Sequence, residues 1–229
     1  MRKIILMAIA AIIAAGSFSS CSKDDDDSSK YNGHEYVDLG LPSGLKWATC
    51  NIGATTPEEY GDYYAWGENE TKVDYSWETY KWCNGSDSTM TKYCNNSKYG
   101  IEDNDTILDL EDDVAHVKWG GSWRMPTITE LSELSDTCNC SWTWTTQNGV
   151  YGYKVQSLKS GYTDKYIFLP APGYRSSSLK LTGSFGFYWS SSLYEDYSYD
   201  AGCLFFASSY YGTSGNYRYF GLSVRAVCP

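Results

Sequence analysis

The sequence predicts a sheet-rich α+β domain, with many short strands and two short helices. Its 21 Gly and 22 Tyr favour turns and strands over long helices. Alternating polar and apolar residues at 36–39 and 151–155, and the apolar run at 166–169 before Pro170, are typical of strands. With 229 residues, 42% of them hydrophobic, the chain is long enough to fill a core.

Only two segments carry helix signals. Residues 108–118 place Val114 and Val117 three positions apart, with acidic residues at 111–113 to complement a helix dipole. The second segment follows Pro126, where Thr127 and Glu130 form a capping-box pattern, and runs to about residue 137.

The N-terminus has the pattern of an export signal. Arg2 and Lys3 precede a run of apolar residues, 4–15, that is too short to span a bilayer but fits a secretory signal. Small residues then lead to Cys21, which resembles the lipobox of a bacterial lipoprotein, with Phe18 where that motif usually has Leu. We therefore expect a signal peptide at 1–20 and lipidation of Cys21. Plain secretion, with Cys21 as an ordinary thiol, is the alternative.

Residues 21–30 are predicted to form the lipid anchor and an acidic tether. The run of four aspartates at 24–27 cannot form a core. An acidic stretch directly after a lipidated cysteine resembles the signal that sends some lipoproteins to the cell surface. This predicts an outer-membrane lipoprotein exposed at the cell surface, and a flexible tether without a sorting role is the alternative.

Residues 31–229 contain no low-complexity break and are predicted to form a single domain. The net charge is −10, and removing Arg2 and Lys3 with the leader leaves 16 basic against 28 acidic residues. Such an acidic chain disfavours a nucleic-acid partner, and contact with the membrane is expected through the lipid anchor only. The abundance of Tyr favours recognition at half-exposed surfaces.

The sequence offers little catalytic chemistry. His34 and His116 are the only histidines, and neither has a nucleophile or metal-ligand spacing around it. Adjacent acidic residues on such a charge-rich chain are usually solvated. We therefore expect a protein that is not an enzyme and that needs no cofactor and no metal.

Seven cysteines follow Cys21, an odd number for an exported protein. Lys81-Trp82-Cys83-Asn84 and Lys92-Tyr93-Cys94-Asn95 repeat a local pattern eleven residues apart, separated by turn-forming residues. This spacing predicts a hairpin closed by a disulfide between Cys83 and Cys94. The pairing of the other cysteines stays open.

Four segments that occur in order carry a resemblance to a known family: residues 36–51, 60–68, 119–127 and 188–192. They resemble the Fibrobacter succinogenes major paralogous domain, which is found in secreted and lipid-anchored bacterial proteins. The resemblance implies a C-type lectin-like fold of twisted antiparallel sheets with two short helices, and it implies no chemistry. Within these motifs we expect Trp47, Trp66 and Trp189 in the core and an architectural role for Arg124.

The C-terminal segment has an unusual composition. Residues 196–229 contain no Lys, Glu, Gln, Met or Trp, whereas residues 28–195 contain 35 of them among 168. These five amino acids are the ones that no codon ending in a pyrimidine encodes. The segment therefore resembles the variable region of a diversity-generating retroelement target. In such a region the two adenines of Asn codons are randomised, and the resulting codons still end in a pyrimidine. A terminal strand pair selected for packing is the alternative.

In that interpretation, exposed polar and aromatic side chains contact a ligand, as in antibody paratopes. Leu222, Val224 and Val227 would form the buried frame behind them, and Cys203 would be the unpaired thiol. The predicted ligand-contacting residues are Tyr194, Tyr197, Tyr199, Asp200, Tyr210, Tyr211, Asn216, Tyr217 and Tyr219.

The sequence therefore predicts a surface-anchored binding module for an extracellular protein or glycan, with a C-terminal segment that is open to diversification. Binding is preferred because aromatic and small polar residues are abundant while a catalytic constellation is missing. The alternatives are an enzyme of the cell envelope and a carbohydrate-binding lipoprotein of fixed specificity.

Overall fold

The computed structural model describes residues 29–229, which form four antiparallel sheets and two α-helices, with a short 3-10 helix at Trp77–Thr79. The predicted sheet-rich α+β class is confirmed. The predicted signal peptide at 1–20, Cys21 and the tether up to residue 28 lie outside the described residues. Within residues 29–229, no helix has the length and apolar character needed to cross a membrane.

Twelve strands build the sheets, in the orders β1-β2-β3-β12, β11-β10-β9, β4-β5-β6 and β7-β8. In chain order they are β1 (Lys30–Tyr31), β2 (His34–Asp38), β3 (Lys46–Ala48), β4 (Cys140–Gln147), β5 (Val150–Ser157), β6 (Tyr166–Pro170), β7 (Tyr174–Arg175), β8 (Leu179–Lys180), β9 (Phe185–Leu193), β10 (Asp200–Ala207), β11 (Tyr210–Tyr217) and β12 (Val227–Cys228). The two stretches predicted from alternation lie in β2, except for residue 39, and in β5, and the apolar run at 166–169 lies in β6.

Helix α1 (Val114–Trp119) is shorter than predicted. Its N-cap is Asp113, whose carboxylate accepts hydrogen bonds from the backbone amides of Ala115 and His116. Residues 108–112 are not helical: the Leu108 amide donates to the Ser191 carbonyl of β9, and residues 110–112 form a turn. The acidic residues expected inside the helix therefore precede it.

Helix α2 (Ile128–Ser135) begins where the capping box predicts it. The Thr127 hydroxyl accepts from the Glu130 amide, and the Glu130 carboxylate accepts from the Thr127 amide. That carboxylate also binds both terminal nitrogens of Arg124, at 2.6 and 2.8 Å. The architectural role expected for Arg124 is confirmed.

Large aromatic rings fill the core, as expected. Trp47, Trp66, Trp123 and Trp189 are each at most 1% exposed. Trp66 and Trp189 donate their indole N–H groups to the carbonyls of Ser190 and Tyr64, so these polar atoms are not left unpaired on burial.

The sheet β11-β10-β9 carries the C-terminal segment that the sequence singles out. Its strands β10 and β11 pair over eight consecutive residues without a register shift and are joined by a two-residue turn, Ser208 and Ser209. Leu222, Val224 and Val227 are fully buried, which confirms their predicted place as a frame.

Two arginines of this segment, Arg218 and Arg225, are buried in the core, and within residues 29–229 neither has an acidic partner in hydrogen-bond contact. Arg218 donates to the Tyr80 hydroxyl and to three backbone carbonyls, and its guanidinium lies 4.8 Å from the centre of the Trp66 ring. Arg225 donates to the Asn51 side chain and to three carbonyls. Burial lowers the pKa of Arg225.

The predicted Cys83–Cys94 disulfide is absent, and the seven cysteines among residues 29–229 are free thiols. The hairpin exists but closes earlier: Cys83 bridges Met90, and the Asn84 amide donates to the Thr89 carbonyl. The Cys94 thiol instead donates to the Asn96 carbonyl at 3.2 Å. Two predictions are therefore wrong: Cys83 and Cys94 are not paired, and Cys203 is not the one unpaired cysteine.

Candidate functional site: an aromatic band

Twelve aromatic rings form a continuous chain of ring contacts, which we call the aromatic band. All of them except Tyr99 are partly or well exposed. The band consists of Trp77, Tyr99, Tyr174, Phe185, Phe187, Tyr197, Tyr199, Phe205, Tyr210, Tyr217, Tyr219 and Phe220.

One end of the band joins the loop before β10 to the end of β11. Tyr197 stacks on Tyr199 with ring centres 5.2 Å apart, and Tyr199 lies 5.9 Å from Tyr217. Tyr217 stacks on Tyr219, which meets Trp77 at 4.7 Å. Because Tyr197 and Tyr217 remain 43% and 44% exposed, these rings can contact a ligand while their neighbours hold them in place.

The middle of the band turns from the end of β11 onto β7 and β9. Phe220 lies 4.6 Å from Tyr219 and 4.9 Å from Tyr174, and Tyr174 in turn meets Phe187 at 5.7 Å. These rings are partly buried against the core that contains Trp189. They connect the two ends of the band into one surface.

The other end lies at the turn between β10 and β11. Tyr210 is 44% exposed and contacts Phe205 at 5.7 Å and Phe185 at 6.3 Å. Phe185 stacks on Phe187, which closes the connection to the middle. The band thus follows the length of an eight-residue hairpin, roughly 24 Å at strand rise per residue.

Arg218 positions the first end of the band. Its side chain is fully buried, whereas the neighbouring Tyr217 and Tyr219 remain on the surface. The guanidinium donates to the carbonyl of Ser198, and the Arg218 amide donates to the carbonyl of Tyr199. These bonds hold the loop with Tyr197 and Tyr199 against the end of β11.

Only some of the nine predicted ligand residues belong to the aromatic band. Five tyrosines, at 197, 199, 210, 217 and 219, belong to the band. Tyr211 instead stacks on Trp142 at 4.4 Å and packs against the second core cluster. The Tyr194 ring covers Gly215, where a β-carbon would lie 2.7 Å from it, and Asn216 accepts from the Tyr217 amide.

No sequence pattern pointed to the other seven band residues: Trp77, Tyr99, Tyr174, Phe185, Phe187, Phe205 and Phe220. Their contacts join positions that are far apart in the chain, such as Trp77 and Tyr219. The only signal available in the sequence was the general abundance of aromatic residues.

Asp200, the remaining predicted ligand residue, begins β10 and is half-buried. One of its carboxylate oxygens is buried and has no hydrogen-bond partner among the described residues. Burial raises the pKa of Asp200 to about 6. Ionisation of this side chain therefore opposes folding.

We expect Asp200→Asn to stabilise the protein at pH 7.5. Since the carboxyl pKa is higher in the folded than in the unfolded chain, the aspartate lowers stability progressively as pH rises from about 4 to about 6. After a discount for solvent screening at a half-exposed site, the gain is about 1 kcal/mol. Thermal unfolding of both proteins across this pH range measures the difference, and parallel curves would contradict the assignment.

The described residues contain one cluster of potential metal ligands: Asp109, Glu111 and Asp112. Lys92 already lies among them, with its ammonium 2.7 Å from Asp109 and 2.8 Å from Asp112. Burial would lower the pKa of Lys92, but these hydrogen bonds outweigh burial and raise it. The cluster is therefore an ion-pair network around a lysine.

His34 lines two clefts of about 380 Å³ each, with Glu35 and Cys50 in one and with Asp62 and Glu70 in the other. Among the described residues, the His34 side chain makes no hydrogen bond or ion pair with an acidic group. One cleft of about 520 Å³ is lined by residues 106–107, 127–129 and 192–196, and its acidic side chains, Glu195 and Asp196, are exposed. Another, of about 320 Å³, includes Asp164, which pairs with its neighbour Lys165. The His34 ring itself stacks on Trp119 at 3.9 Å.

Comparison with protein-family models, with curated proteins and with solved structures found no match for this chain.

Proposed function

We propose that this protein is a surface-anchored binding lipoprotein and that the aromatic band binds an extracellular protein or glycan. The observation that carries the proposal is the continuity of the band, because exposed apolar surface of this extent marks interaction sites in soluble proteins. Tyrosine and tryptophan rings stack on sugars and pack on protein surfaces with little loss of side-chain entropy.

The charge around the band narrows the class of ligand. Glu78, Glu195 and Asp196 are exposed near its first end, and the chain as a whole carries a net charge of −10. A polyanion would be repelled by such a surface. We therefore propose a neutral or cationic ligand and no nucleic acid, and we assign no enzymatic activity.

The C-type lectin-like fold and diversification of residues 196–229 are parts of the same proposal. The burial pattern of this segment supports diversification, since Tyr197, Tyr210 and Tyr217 are exposed while Leu222, Val224 and Val227 are buried. Exposed positions can vary at little cost to the core. A nearby repeat with Asn codons at the band positions, beside a reverse transcriptase gene, tests the idea, and its absence would leave a binding module of fixed specificity.

The anchor is tested by replacing the lipidated residue. We expect Cys21→Ala to release the protein from the membrane fraction or to mislocalise it, because two or three acyl chains provide stable anchoring. Cell fractionation with immunodetection measures this. Unchanged membrane retention of the variant would show that Cys21 is not the anchor.

The binding function is tested by a ligand screen with the chain from Ser22 onward. The protein is applied to a glycan array and to whole cells of other species, and we expect saturable binding to a restricted set of targets. Binding to no target, or turnover of a polysaccharide or peptide that depends on a single acidic residue, would contradict the proposal.

A further inference from the structure

Strand β11 forms an exposed edge of its sheet and lacks the usual protection of edge strands. Its sequence, YYGTSGNY, contains no charged residue and no proline, and it pairs with β10 without a bulge. Edge strands of soluble proteins usually carry at least one of these devices, because an open edge accepts another strand. Helix α2 packs across the face of this sheet, since it contacts β9 and β10 as well as β11.

The free backbone groups of β11 can be identified from the register. The Arg218 amide donates to the Tyr199 carbonyl, which continues the ladder in which Asp200 faces Tyr217. Hydrogen-bonded and non-bonded pairs alternate in an antiparallel ladder, so even-numbered residues of β11 bond to β10. Tyr211, Thr213 and Gly215 therefore direct their amides and carbonyls outward, and none of these groups has a partner among the described residues.

These groups are symmetric about Thr213, which favours a second copy of the same strand as the occupant. In an antiparallel pair centred on Thr213, Tyr211 of one copy faces Gly215 of the other, and the two Thr213 residues face each other. Each of these three pairs exchanges two hydrogen bonds, so every free group is satisfied in both copies.

The side chains fit this pairing. Gly215 is covered by the Tyr194 ring of its own chain, and the paired threonines can share a hydrogen bond. No charged side chain lies on the strand, so two acidic molecules can meet there without juxtaposing charges. The ring of Tyr211 is already held by stacking on Trp142.

We propose that two copies of the protein associate through β11, about a twofold axis at Thr213, and form one continuous six-stranded sheet. Such a dimer presents two aromatic bands. Two linked binding surfaces raise the avidity for a repetitive target without any new ligand contact. Association itself does not depend on the identity of the ligand, or on whether the band binds one.

The first test measures the mass of the full chain in a non-ionic detergent by sedimentation velocity. We expect a concentration-dependent dimer for the wild type and a monomer for Thr213→Pro, which removes an outward amide without breaking the ladder to β10. Thr213→Val keeps the amide and is expected to remain a dimer. A wild type that is monomeric at every concentration, or a dimer that Thr213→Pro leaves intact, would overturn the proposal.

A second test keeps the proposal falsifiable if the proline variant misfolds. In a Cys138→Ser background, which removes the exposed native thiol, Thr213→Cys is expected to crosslink two chains under mild oxidation. Facing residues of an antiparallel pair lie within disulfide distance. Ser208→Cys, in the turn away from the axis, is the matched control. Equal crosslinking of both variants, or none at Thr213→Cys, would contradict the pairing.

Discussion

Replacing Arg218 by leucine is expected to destabilise the protein by about 3–5 kcal/mol. The substitution removes the guanidinium N–H groups that donate to the Tyr80 hydroxyl and to the carbonyls of Tyr93 and Ser198. All three accepting residues are buried. It also removes a cation from the face of the Trp66 ring. The buried acceptors that lose their donors and the different shape of the leucine side chain both oppose folding. The thermal unfolding midpoint is therefore expected to fall by about 10 °C.

Thermal and denaturant unfolding measure this effect. Arg218→Lys keeps the charge but not the planar fork of donors, and we expect it to recover only a small part of the lost stability. Lys180→Leu removes an exposed cation and is the matched control, with an expected change within about 0.5 kcal/mol. Equal stabilities of Arg218→Leu and Lys180→Leu would show that the buried network contributes nothing.

The double substitution of Tyr199 and Tyr217 by alanine is expected to weaken ligand binding about 100-fold. Both rings are central to the first end of the band, and truncating a central aromatic residue of an interface commonly costs about 2 kcal/mol or more. Because the two rings contact each other, their losses overlap and the double variant loses less than the sum. Neither ring belongs to the fully buried core, so the fold is expected to remain. Affinity for a target from the ligand screen, together with near-ultraviolet circular dichroism, measures both properties.

The matched control replaces two exposed tyrosines that lie outside the band. Tyr151 and Tyr166 are 51% and 46% exposed, and Tyr151 stacks on Trp144 instead of on a band residue. We expect Tyr151→Ala/Tyr166→Ala to bind as the wild type does. If the two double variants lose affinity equally, the band has no special role.

The parts of the fold that depend on residues close in sequence could be predicted from short sequence patterns. The capping box of α2 needs only Thr127 and Glu130, which are close in sequence. Strands β2 and β5 follow from alternation over a few residues, and β6 follows from a short apolar run. Burial of the tryptophans follows from their size. The capping box and the strand patterns can be recognised without knowledge of tertiary contacts.

Where two local interpretations compete, the sequence was misleading. The acidic residues before α1 could lie within its first turn and complement the helix dipole, or precede the helix and cap it. Asp113 caps the helix, because its carboxylate accepts hydrogen bonds from two backbone amides. Likewise, Cys83 and Cys94 fit a hairpin, but the tight turn closed by Thr89 places Met90 opposite Cys83.

The candidate site depends on contacts that no local pattern encodes. Tyr217 and Tyr219 were predicted as surface residues from composition, yet the sequence does not reveal that Arg218 between them turns into the core. Nor does it place Trp77 beside Tyr219 or Tyr174 beside Phe220. The band is a product of tertiary packing around the buried guanidinium.

Footprinting of the ligand-bound protein tests most directly whether the band is the binding surface. Hydroxyl-radical oxidation with mass spectrometry compares each tyrosine with and without a target from the screen. We predict that Tyr197, Tyr210 and Tyr217 are protected by the ligand while Tyr151 and Tyr166 react as before. Protection of Tyr151 or Tyr166, with the band tyrosines unchanged, would contradict the account.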